Sequence, residues 1–95
     1  MTSEEFRKST AQAQPPATAG AALQAMWYDA KGDWQQAHTL AQSQEDATGA
    51  WVHAYLHRVE RDLGNAGYWY RRANKPVFTG PLADEWEQIV GALLK

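Results

Sequence analysis

H-A-Y-L-H-R-V-E, residues 53 to 60, gathers the most chemically capable side chains in the chain. His53, His57 and Glu60 stand at i, i+4 and i+7, so on a helix all three leave from one face. Two imidazoles and a carboxylate are donors that hold zinc or another divalent ion, and His38, earlier in the chain, is a candidate fourth ligand. The pattern is not the metallopeptidase signature H-E-x-x-H, because Ala54 stands where that motif carries its general base. The structural alternative is that the histidines pack at a helix interface with their ring nitrogens hydrogen-bonded.

A second candidate is Y-W-Y-R-R-A-N-K-P, residues 68 to 76. With Arg58 and Arg61 from the preceding segment, Tyr68, Arg71 and Arg72 form an aromatic and guanidinium set able to clamp a peptide or a carboxylate. At helical spacing the stretch resolves into separate faces. Tyr70 continues the stripe of Leu63, Ala66 and Ala73 and is expected in the core. Trp69 should flank it, covered by the last helix, which leaves Tyr68, Arg71 and Arg72 as the exposed edge. The alternative is that the arginines solvate helices while their stems cover rings.

No catalytic constellation assembles. Asp29, Asp33, Asp46, Asp62 and Asp84 read as caps and helix-terminal charges, Ser43 lacks a G-x-S-x-G context, and the glycines are too isolated for a phosphate-binding loop. The expectation is a protein without enzymatic activity and without a cofactor.

The elements that would carry these side chains are helices. With 44% hydrophobic residues and no cysteine, one small domain must be held by packing alone. Residues 1 to 18, interrupted by Pro15 and Pro16, are expected as a flexible amino-terminal arm, with docking of Phe6 onto the domain or a second copy as the alternative. Residues 19 to 95 then form a single helical domain with hairpins over 19 to 45 and 47 to 76. A final helix over 80 to 94 carries Leu82, Trp86, Ile89, Val90 and Leu93 on its apolar side.

An offset of 29 residues superposes Gly20 on Gly49, Ala21 on Ala50, Ala25 on Ala54, Asp33 on Asp62 and Ala37 on Ala66. Leu23 likewise falls on Val52, Met26 on Tyr55 and Trp34 on Leu63, so bulk is kept where identity is lost. Gly32 with Asp33 supplies a helix stop and a new cap, and Asp62 repeats the cap.

On A-x-x-x-x-x-K-G-D-W-x-x-A from Ala25 and R-D-L-x-x-A from Arg61, the hairpins resemble tetratricopeptide repeats. The resemblance implies an all-α fold of two such antiparallel hairpins closed by a carboxy-terminal capping helix on the exposed end of the second hairpin. Ala25, Ala54, Ala37 and Ala66 would be its small contact residues. The period of 29 is shorter than the family's roughly 34, Arg61 replaces the turn glycine, and Gln24, His53 and His57 stand at positions that family keeps apolar or aromatic. A-W-V-H-A-Y-L-H-R together with Y-W-Y-R-R-A is also similar to a group of short bacterial proteins, a likeness that brings no activity with it.

Charge narrows the partners. The formal net charge is −2, and the basic segment, residues 49 to 76, holds five basic and two acidic side chains, too few cations for a nucleic-acid backbone site. No stretch approaches the roughly 20 apolar residues of a membrane span, and M-T-S-E-E-F-R-K is unlike a secretory signal, so no membrane partner and a cytoplasmic address are expected. The leading expectation is a protein-interaction or assembly module whose partner is a protein, a peptide or a second copy of the chain. The alternative is a small metal- or ligand-binding protein using the His53, His57 and Glu60 face.

Overall fold

The computed structural model describes residues 1–95, which form six α-helices and no strand. They are α1 (Ser3–Lys8), α2 (Ala21–Ala30), α3 (Trp34–Ser43), α4 (Ala47–Val59), α5 (Leu63–Ala73) and α6 (Leu82–Leu93), with a short 3₁₀ turn over Ser9–Ala11 after α1. No helix is long and apolar enough to cross a membrane.

Three aspartates set where the central helices begin. Asp33 accepts from the backbone N–H of Gln36 at 3.1 Å, Asp46 from Gly49 at 2.9 Å and Asp62 from Asn65 at 3.3 Å, each occupying a donor the first helical turn cannot satisfy. The turns before α3 and α5 share a left-handed residue: Gly32 at φ +87° in the first and Arg61 at φ +66° in the second. A side chain there costs roughly 1 kcal/mol or more, so Arg61 carries strain that Gly32 avoids. Gly49 answers a different demand, because a Cβ there would lie 1.8 Å from the carbonyl oxygen of Gln44.

Helices α2 with α3, and α4 with α5, make the closest pairs, and α3 packs on α4. Small residues allow it: Ala25, Ala37, Ala54 and Ala66 are all buried in the core. Trp27, Met26, Val52, Leu56, Tyr70, Ile89 and Val90 fill the space around them.

Helix α6 departs from the expected capping position. It lies across α2, α4 and α1 instead of covering the outer side of α5. Trp86 anchors it by donating its indole N–H to the Met26 carbonyl at 3.1 Å. Glu85 takes a second tie from Arg58 of α4 at 2.6 Å and a third from the Tyr70 hydroxyl of α5. The physical consequence falls on Leu63. Its counterpart at the 29-residue offset, Trp34, is partly covered by α4 and donates to the Leu56 carbonyl, but no hairpin follows α5, so Leu63 is 68% exposed and not part of the buried stripe. Leu82, at the start of α6, is likewise exposed, whereas Trp86, Ile89 and Val90 are buried.

The flexible arm expected over residues 1 to 18 gives way to the docked alternative. Phe6 is fully buried beside Trp86, Arg7 pairs with Glu87 at 3.1 Å and stacks over the Trp86 ring, and Ser9 accepts the indole N–H of Trp27. A capping box between Thr2 and Glu5 starts α1. Thus α1 and α6 together cover the side of α2 and α4 that an open pair of hairpins would leave free.

Candidate functional site: a three-histidine cluster

His53 and His57 leave α4 one turn apart, and the pairing of α3 with α4 brings His38 against them. Ring centroids lie 4.6 Å apart for His38 and His53, 4.8 Å for His53 and His57, and 5.5 Å for His38 and His57. One ligand nitrogen from each ring falls within 4.8 Å of the other two. Zinc–nitrogen bonds of about 2.0–2.1 Å place tetrahedral ligands roughly 3.4 Å apart, so the ligand atoms would draw together by at most about 1.4 Å on binding.

Each imidazole has a defined setting. His57 is buried, and its Nδ1 lies 2.6 Å from Oε1 of Glu60. A carboxylate only accepts, so Nδ1 donates in this contact, which leaves Nε2 as the nitrogen for the group with the other two rings. This carboxylate-to-histidine contact is the arrangement that orients metal-ligating imidazoles. His53 is 3% exposed, and its Nε2 is buried without a hydrogen-bond partner. Such an atom is uncommon, because an unpaired buried polar group costs on the order of 1–3 kcal/mol.

Burial, and then the neighbouring His38 and His57 charges, push the His53 imidazolium down to about 4. His38 is half-buried and stacks on Trp34 at 4.7 Å, and burial followed by the His57 charge also lowers its pKa. Both rings are therefore neutral, the form that binds metal, near neutral pH.

The grouping differs in one respect from the trio read along α4. His53, His57 and Glu60 do not converge as three ligands. Glu60 turns to the Nδ1 side of His57, and the third nitrogen comes from His38. A second group, His57, Glu60 and Asp62, is also close, but Asp62 is engaged as the cap of α5 through the backbone and side-chain amides of Asn65.

The expected peptide or carboxylate face separates. Arg58 points inward, bonding Glu85 and, at 2.6 Å, the Gly80 carbonyl, so it belongs to the scaffold. Arg61 is exposed in the turn before α5. Tyr68, Arg71 and Arg72 remain exposed on α5, with Arg72 donating to the Tyr68 hydroxyl at 3.2 Å. Trp69 is covered by a histidine and not by α6: it stacks on His53 with centroids 3.9 Å apart and planes 12° from parallel.

Comparison with known proteins returns no match, whether to a family model, a curated protein or a solved structure. The functional reading therefore rests on the chemistry of these side chains. Sequence reasoning did not identify the buried Glu85, which shares its appearance with any first-turn helix acid such as the neighbouring exposed Asp84.

Proposed function

We propose that this domain binds a divalent metal ion of the zinc class through His38, His53 and His57, with Glu60 holding His57 from behind. The observation that carries the reading is the buried, unpartnered Nε2 of His53 inside a cluster of three imidazoles. A metal bond offers that nitrogen an electron-pair acceptor where no protein donor reaches it. Three nitrogens and no thiolate favour borderline divalent ions over soft Cu(I) or hard Mg²⁺. Trp69 stacks on His53, so tryptophan fluorescence can report on the cluster.

The test is metal analysis of protein purified without added metal, compared with a His57→Ala variant, followed by zinc titration of the stripped protein with tryptophan fluorescence as readout. Near-stoichiometric metal or saturable uptake in the parent protein, lost in the variant, supports the reading. No bound metal, unchanged fluorescence and unchanged melting on zinc addition reject it.

The interaction-module reading finds support at a different place. The face of α2 and α4 is covered by α1 and α6, but Tyr68 is exposed on α5 beside Arg72, with Arg71 exposed next to it and Leu63 exposed at the start of the helix. This edge is one exposed surface that a protein or peptide partner, including a second copy of the chain, could use. Pull-down with the intact protein and with an Arg71→Glu/Arg72→Glu variant tests it; identical partners in both reject the arginine edge.

A further inference from the structure

We propose that this chain forms a twofold-symmetric dimer in which α5 packs antiparallel against α5 of a second copy. The inference rests on the interaction-module reading above, whose partner it names, and makes no use of the metal reading.

The internal repeat marks which side of α5 is unfinished. At the 29-residue offset α3 falls on α5, so Trp34 corresponds to Leu63 and His38 to Gly67. In α3 that side is covered by α4: Trp34 donates to the Leu56 carbonyl, and His38 lies against His53 and His57. The same side of α5 has no helix over it. The backbone of α5 packs on α4 alone, with the Tyr70 hydroxyl reaching α6 from the buried stripe. Leu63, at 68%, is the most exposed large apolar side chain in the protein.

Leu63, Gly67 and Arg71 stand four residues apart on this side, with Gly64 next to them. Glycine weakens a helix interior relative to alanine, yet packing within one chain requires neither of these two. A Cβ at Gly64 would meet nothing within 4 Å, and one at Gly67 only the Arg71 guanidinium at 3.8 Å. Their missing side chains let a second helix come to the short end of the roughly 8–10 Å range of interaxial distances.

Charge selects the occupant and its direction. The start of α5 carries Glu60 and Asp62 against Arg61, its last turn carries Arg71 and Arg72, and no acid stands between Leu63 and Asp84. None of the ion pairs within the chain uses Arg71. Antiparallel packing centred on Gly67 sets the acidic end of each α5 against the basic end of the other. With a rise of about 1.5 Å per residue, Asp62 lies about 7.5 Å to one side of Gly67 and Arg71 about 6 Å to the other, so they come level within about 1.5 Å. Each Asp62 oxygen accepts one bond from Asn65, which leaves a lone pair for the guanidinium of the second copy. The stem of that arginine then covers Leu63. Parallel packing would oppose arginine to arginine. A twofold axis makes each contact twice and closes the assembly at two chains.

The test is sedimentation equilibrium of the full chain over a wide concentration range, in buffer containing a chelator so that no metal bridges the chains. The mass is expected to rise with concentration from one chain to two and no further, with weaker association at high salt. Arg71→Glu should weaken association at least about tenfold, because two pairs turn from attraction to repulsion. Gly67→Gln should abolish it while the melting temperature of dilute protein stays at or above the parent's, since the new side chain has room in the single chain and favours the helix. A one-chain mass at every concentration overturns the proposal and leaves the edge to a different partner, which the pull-down detects. Dimers that survive both substitutions, or masses beyond two chains, overturn the placement on α5. Association lost in Gly67→Gln but unchanged in Arg71→Glu overturns the antiparallel charge pairing.

Discussion

Two polar clusters are buried in this small domain, and they are built on opposite terms. Between α4, α5 and α6, Glu85 is 1% exposed, yet its two oxygens are taken by Arg58 and Tyr70, and Arg58 also caps the Gly80 carbonyl. Between α3, α4 and α5, three histidines meet with one hydrogen bond among them, from His57 to Glu60, and the Nε2 of His53 has none. A buried network whose members are all satisfied fixes helices in place. One that leaves a donor or acceptor idle is tolerated where a ligand completes it.

The contrast can be broken from the scaffold side first. Glu85→Ala strands the Arg58 guanidinium and the Tyr70 hydroxyl and should destabilise the fold by about 3–5 kcal/mol in chemical denaturation, since one partner of a buried ion pair is removed. His53→Phe, which deletes an unsatisfied atom and keeps a ring against Trp69, should cost far less. A loss as large as that for Glu85→Ala would mean that the histidine cluster is scaffold after all.

Acid sharpens the comparison next. His53 titrates near 4 in the fold and near 6.5 in the unfolded chain, so between those values the unfolded state binds more protons. Stability is therefore complete above about pH 6.5 and falls as pH drops toward 4, by up to about 3 kcal/mol, with His38 acting in the same direction. Denaturation midpoints across this range check it, and His53→Phe should flatten the profile.

Zinc at about 100 times its dissociation constant should raise stability by about 2.7 kcal/mol in the parent protein and leave His53→Phe unchanged, as thermal melts will register. Smaller still, Glu60→Gln keeps the three ligands but weakens the orienting contact and should reduce zinc affinity about 10- to 100-fold by titration.

What the linear sequence revealed follows from how local each signal is. Asp33 and Asp62 announce their helices because capping acts within three residues, and Tyr70 falls in the core because the period of α5 places it there. Long-range packing left no such trace. Glu85 looks like any first-turn acid until α6 crosses α4, Leu63 looks like a stripe residue until no helix covers it, and Phe6 looks detachable across Pro15 and Pro16 until Trp86 receives it. His38 joins His53 and His57 through the packing of α3 on α4, while the i, i+3 reach from His57 to Glu60 is local but diverts the carboxylate from the ligand set.

The most direct test is calorimetric titration of metal-stripped protein with zinc, beside His53→Phe. One saturable site per chain that disappears in the variant is the predicted result. Absence of saturable binding, or equal binding by the two proteins, would contradict a metal site built on the histidine cluster.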